Sequence, residues 1–160
     1  MRYQLILLLT ISIVFSSNCT AQKKVGGDVK TIKTYGKISQ TANFDKARAA
    51  HTATRLTDGN VLIVGGMRKD GVLYNDAELF NPKKNSFTNI KSKLTKKRVS
   101  HTATLLNDGR VLIVGGWSNR RQPENTAEIY EPKLQRFVAV GNTKFARSGH
   151  SSTLLQNGKF

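Results

Sequence analysis

Twenty residues, Arg98 to Trp117, recur almost letter for letter at Arg48 to Met67, fifty positions earlier, and start a third time at Arg147. The shared text is Arg-x-x-His-Thr-Ala-Thr-x-Leu-x-Asp-Gly-x-Val-Leu-Ile-Val-Gly-Gly. A period of this length assigns one supersecondary unit to each copy, and such units bury their apolar faces on their neighbours. The chain is therefore a stack of like units rather than a fold in which each segment is unique.

The order of signals inside one copy fixes what that unit is. His-Thr-Ala-Thr opens a strand that ends near Leu56 or Leu106, and Asp58-Gly59 or Asp108-Gly109 then supplies a hairpin turn. The aliphatic runs Val61 to Val64 and Val111 to Val114 suit strands buried on both faces. Each run stops at a glycine pair, Gly65-Gly66 or Gly115-Gly116. A polar loop leads to a third strand, Ala77 to Phe80 or Ala127 to Tyr130, closed by Pro82 or Pro132. Phe87 and Phe137 mark a fourth, and no segment has helical periodicity. Four short antiparallel strands at this period describe the blade of a β-propeller.

These residues resemble the kelch repeat family, in particular its exported bacterial members and galactose-oxidase-like propellers. The marks are the aliphatic strand closed by Gly65-Gly66 or Gly115-Gly116, then the spaced aromatics Phe80 with Phe87 and Tyr130 with Phe137. Phe87 and Phe137 depart from the Trp that many members carry there. The resemblance runs from about Asn43 to Phe160 and implies an all-β fold, a kelch-type propeller segment of four-stranded antiparallel blades. The expected division is a signal peptide at 1–21, a polar leader at 22–42, repeats at 43–97 and 98–146, and a truncated third at 147–160. Two blades and a stub do not close a ring of four to eight, so the reading expects an incomplete propeller, a fragment of a longer protein.

The amino terminus carries one cation, Arg2, then an apolar run from Leu5 to Phe15. That run is too short for a membrane span of about 20 residues and fits a secretory signal. Either cleavage follows Ala21, leaving Gln22 first, or the sole cysteine, Cys19, is lipidated and anchors the chain to a membrane. Both routes make the protein exported, to the periplasm, the outer surface or the medium. A single cysteine excludes an intrachain disulfide. Within the leader, Thr31 to Ser39 is a candidate outer strand of a preceding blade.

The formal charge is +16, and loss of residues 1–21 would still leave +15. A domain this basic attracts polyanions through its long-range field. Export and the lack of any recognition helix or aromatic-basic RNA motif point away from nucleic acid and toward an anionic polysaccharide or the outer membrane surface. Lys91, Lys93, Lys96, Lys97 and Arg98 cluster on the connection between repeats, most of it read as exposed loop.

Candidate chemistry is sparse. His51, His101 and His150 occupy equivalent places in successive repeats, which spreads them around a ring, so each is expected to cap or pack its own strand rather than bind a metal. Glu78 and Glu128 lie inside apolar strands and need partners; Arg48 and Arg98 are expected to reach them, within a repeat or across to the next. The copper site of galactose-oxidase-like enzymes needs a thiol, and nothing after Cys19 supplies one. No catalytic residue, cofactor site or metal site is assigned.

The loops after the glycine pairs, 67–76 and 117–126, agree at almost no position, and Trp117 with Arg120 and Arg121 forms a candidate ligand loop for an acidic sugar. The expected function is an exported binding or interaction module for a protein or carbohydrate ligand. The alternative is the first part of a propeller enzyme, a carbohydrate oxidase or sugar epimerase, with its active site in further blades.

Overall fold

A computed structural model describes residues 39–118 and 122–159. The expected signal, Cys19, Thr31 to Ile38 of the candidate outer strand, and Arg120 and Arg121 lie outside the described residues. Two four-stranded antiparallel sheets follow one another along the chain, and no helix occurs among the described residues. The first holds β1 (Thr52–Arg55), β2 (Val61–Val64), β3 (Ala77–Asn81) and β4 (Ser86–Asn89), hydrogen-bonded in sequence order. The second repeats it with β5 (Thr102–Leu105), β6 (Val111–Val114), β7 (Glu124–Glu131) and β8 (Arg136–Arg147).

The turns form for local reasons. The Asp58 carboxylate accepts the Asn60 amide at 2.9 Å while Gly59 turns at φ 87°, which sets Thr52 opposite Val64 and Arg55 opposite Val61. Asp108 and Gly109 do the same for β5 and β6. In the β3–β4 hairpin the Asn81 side chain accepts the Lys84 amide at 2.9 Å. The spaced aromatics become direct cross-strand partners, Phe80 with Phe87 at 4.7 Å between ring centres and Tyr130 with Phe137 at 5.0 Å. Such pairs add to the stability of the sheet beyond simple burial.

The core lies between the two sheets. Leu62, Val64 and Ala77 on one face of the first sheet meet Val111, Ile113 and Tyr130 on the opposite face of the second, each fully buried. Because side chains alternate along a strand, the same aliphatic run supplies both faces in turn. The two runs are therefore not equally buried, contrary to the sequence expectation. Leu112 and Val114 of β6 are only half-buried and line a cleft of about 460 Å³ together with Val140 to Thr143 of β8 and His150 to Thr153, whereas Leu62 and Val64 of β2 are fully buried. The fourth strand also departs from its expected short length: β8 runs twelve residues. A bulge at Val140 lets it continue, with Ala139 opposite Glu128, Gly141 opposite Ala127, and Gly141 at φ 140°.

Neighbouring repeats are stitched through backbone at the glycine pair. The Gly66 amide donates to the Arg98 carbonyl of the next repeat, and Gly116 donates to Arg147, both at 2.9 Å. A Cβ on Gly65 would lie 2.5 Å from the Arg98 carbonyl oxygen. Two residues beyond each arginine, Ala50, Ser100 and Gly149 share the left-handed conformation at φ 51°, 54° and 59°. Their backbones form a ladder across repeats, the Ser100 amide donating to Ala50 at 3.1 Å and Gly149 to Ser100 at 2.9 Å.

Gly65→Ala is expected to cost on the order of 2–4 kcal/mol, since it combines a left-handed conformation with a clash against fixed backbone. Ser100→Gly relieves the same conformation without a clash and is expected to add roughly 0.5 kcal/mol. Urea melts of both variants check the pair; an unchanged midpoint for Gly65→Ala would contradict the packing described.

Candidate functional site

Charged groups are expelled from packed interfaces unless each finds a partner, and the described chain takes two sets inside. Arg48 enters ahead of β1 and reaches into its own repeat, donating to the Gly65 carbonyl at 2.8 Å, Asp76 at 3.1 Å and Glu78 at 2.5 Å. Arg98 repeats the reach, to the Gly115 carbonyl at 2.8 Å, the Thr126 hydroxyl at 3.0 Å and Glu128 at 2.7 Å. The guanidinium side chains are fully buried and both glutamates nearly so. The second oxygen of each glutamate accepts a backbone amide three residues before the arginine, Asp45 at 3.3 Å and Thr95 at 2.9 Å. Of the two pairings the sequence left open, the structure takes the one within each repeat.

Four further residues complete these sets and were missed by sequence reasoning. Lys46 pairs with Asp76 at 2.5 Å, and Lys96 with Glu124 at 2.6 Å. Each repeat thus balances two cations with two carboxylates, although the second carboxylate moves along the strand: Thr126 stands where the first repeat has Asp76, and Glu124 where it has Tyr74. Tyr74 instead lays its ring against Arg48, 5.1 Å from the guanidinium carbon. The available signal was the lysine two residues before each arginine, Lys46 and Lys96.

His101 and His150 reach across to the preceding repeat, and His101 also packs on Gly116, the second glycine of its own repeat's pair. His101 Nε2 lies 2.9 Å from the Thr52 hydroxyl of the preceding repeat, and His150 Nε2 lies 3.0 Å from Thr102. The cause is the glycine pair: a Cβ on Gly65 would come within 3.0 Å of the His101 ring, so the ring fills the space the missing side chain leaves. Burial, reinforced by the charge of Arg98, holds the His101 imidazole down to about 3. Burial likewise lowers His51 and His150. Phe44 meets His51 edge-on at 5.6 Å and stacks near Phe87 at 4.8 Å, covering the outer face of the first sheet. Among the described residues no group of histidine, cysteine and carboxylate side chains is placed to hold a metal.

The loops after the glycine pairs are entered through matching backbone bridges despite their different sequences. Met67 bridges Ala49 and Leu73, and Trp117 bridges Val99 and Pro123. Trp117 is half-buried. Arg68 is taken up by Asp70 within its own loop, while Ser118 and Lys96 both contact Glu124. Tyr130 is fully buried, its hydroxyl has no hydrogen-bond partner, and burial pushes that hydroxyl up to about 12.

Residues 98–143 match the model of the Kelch motif. A solved structure, titled "Structure of YjhT", superposes with a TM-score of 0.62 at 18% identity over 71% of this chain. The chain spans 44% of that structure's length. No curated protein matches.

Glu128→Ala leaves the Arg98 charge buried without its partner and is expected to destabilise by about 3–5 kcal/mol. Arg98→Met combined with Glu128→Leu is expected to cost much less than the two single changes added together, read as the coupling in a double-mutant cycle of urea melts. The histidines give a pH signature. Their folded affinity for protons lies below the ordinary value near 6.5, so the unfolded chain takes up protons first as pH falls. Stability is complete above about pH 6.5 and declines toward pH 3, with the buried His101 alone contributing a loss of about 2 kcal/mol between pH 6.5 and 4.5. His101→Gln should flatten that part of the profile; an equal slope in the variant would refute the assignment.

Proposed function

Because this chain carries kelch repeats and folds as a segment of a kelch propeller, we propose that it is an exported binding module whose ligand is met by the loops that follow the glycine pairs. The observation that carries the reading is the fate of the reactive side chains. Glu78, Glu128, Arg48 and Arg98 are buried in mutual pairs, and His101 and His150 are held in contacts between repeats. These groups serve cohesion, not turnover. What differs between repeats is the pair of loops at 67–76 and 117–126, held on matching backbone bridges. A fixed scaffold with divergent loops is how repeat folds vary their ligands.

The ligand class is a carbohydrate or a protein, and the charge of +16 favours an acidic glycan among carbohydrates. Trp117 offers a face for stacking on a sugar, with Arg120 and Arg121 beside it in sequence to meet its carboxylate. Export rests on Arg2 and the apolar run from Leu5 to Phe15. A location in the periplasm, at the outer surface or in the medium follows, with a membrane anchor only through Cys19.

Mass spectrometry of the protein from its native host is expected to find Gln22 at the amino terminus. A diacylglycerol on Cys19 would replace that route with the lipoprotein one, and an intact Met1 would remove export. On an array of acidic and neutral glycans, the acidic members are expected to retain the protein at low salt. Trp117→Ala should weaken that retention by about tenfold, the worth of one stacking contact. Retention that ignores Trp117 would take the site away from this loop.

A further inference from the structure

The connection from β4 to β5 is more than a surface loop. Every fourth residue along it is buried, Ile90 at 5% exposure, Leu94 at 2% and Arg98 at 0%. Its backbone is tied at both ends: Ile90 donates to the Ala77 carbonyl at 3.0 Å, Leu94 to Asn75 at 2.9 Å and Thr95 to Glu128 at 2.9 Å. The Ser92 hydroxyl in turn accepts the Phe137 amide of the second sheet at 3.1 Å. Between these anchors Lys91, Lys93, Lys96 and Lys97 are exposed. The lysines therefore project from a backbone whose course is already set, and ordering it costs a ligand little.

Among the described residues, three of the four have no carboxylate in an ion pair with them. Lys96 pairs with Glu124, but no ion pair among the described residues involves Lys91, Lys93 or Lys97. The described acids are already committed. Seven of nine lie in ion pairs, and the remaining two, Asp45 and Asp58, accept from Asn89 and Asn60. The equivalent connection of the first repeat, Thr41 to Ala47, has one lysine, Lys46, and that one is paired with Asp76. The concentration of free cations thus belongs to this one connection and is not a property of the repeat.

We propose that the Lys91–Lys97 connection is a binding surface for a linear anionic polysaccharide, separate from the loops after the glycine pairs. The neighbouring chemistry selects that class. A single-stranded nucleic acid needs aromatic faces for its bases, and residues 90–97 contain none. A membrane surface rewards exposed apolar side chains beside the cations, whereas the two apolar residues here, Ile90 and Leu94, are buried. What remains exposed is ammonium groups with the Thr95 hydroxyl, suited to carboxylates and hydroxyls along a sugar chain. This inference stands on the connection alone and does not require the loop reading.

The test uses the full chain and polygalacturonate as probe. Lys91→Ala, Lys93→Ala and Lys97→Ala together are expected to weaken binding by about tenfold, the combined worth of three exposed charge pairings, with an unchanged melting midpoint. The three changes to Arg should preserve affinity, and binding should fall steeply with added salt. Lys83→Ala with Lys84→Ala, on a turn outside both proposed sites, should change it by less than about threefold, and the loss caused by the three lysine changes should persist in an Arg120→Ala, Arg121→Ala background. If the Arg120 and Arg121 variant carries the loss, the loop is the anion site and this proposal fails while the loop reading gains. Equal losses in all three variants reduce the effect to a diffuse field and overturn it. Absence of binding overturns it as well, and so does equal, lysine-dependent binding of oligothymidylate or phosphatidylglycerol vesicles.

Discussion

The buried arginine of each repeat is the contact on which the rest depends, because one residue makes two different connections. Its side chain closes its own repeat by joining the segment ahead of the first strand to the glutamate of the third, as Arg98 joins Glu128. Its carbonyl accepts the second glycine of the repeat before, as Arg98 accepts Gly66. The first connection fixes the shape of a sheet and the second fixes its place on the preceding sheet. A buried ion pair contributes little net stability against an apolar substitute, so its value here lies in geometry. The carboxylate has one orientation in which both the guanidinium and the Asp45 or Thr95 amide are satisfied.

Much of the wording shared between repeats follows from that placement. The glycine pair is needed because the next repeat's arginine carbonyl and histidine ring occupy the space of its side chains. The histidine then reaches the Thr52 or Thr102 hydroxyl of the repeat behind it. A polar group fully enclosed needs its partner within the protein, and these partners come from adjacent repeats in turn. Cohesion therefore passes from neighbour to neighbour, as in other repeat folds.

The strands, the turns and the aromatic pairs were legible in the sequence because each rests on local chemistry: Asp58-Gly59 turns by itself, and Phe80 meets Phe87 through hairpin register. The glutamates were legible as groups in need of a partner, and the partner was Arg48 or Arg98. What could not be read was contact between repeats. Nothing about His101 in isolation says that it belongs to Thr52, forty-nine residues back. The left-handed backbone of Ala50 and Ser100 was equally hidden, since neither residue type favours it and only Gly149 hints at it. The second carboxylate was obscured by its shift from Asp76 to Glu124, a change of position that keeps the charge balance while erasing the alignment.

That balance also organises the surface. Two cations and two carboxylates are consumed in the charged set of each repeat, and most remaining acids are taken by an arginine close in sequence, as Asp70 is by Arg68 and Asp108 by Arg110. An excess of sixteen positive charges cannot then be spread evenly against local counterions. It falls on the connections and turns, where lysines stand without acids. Cohesion and surface charge thus draw on the same limited supply of carboxylates. The exterior is left with a net positive charge, and the ordered segment Ile90 to Arg98 holds several of its lysines together.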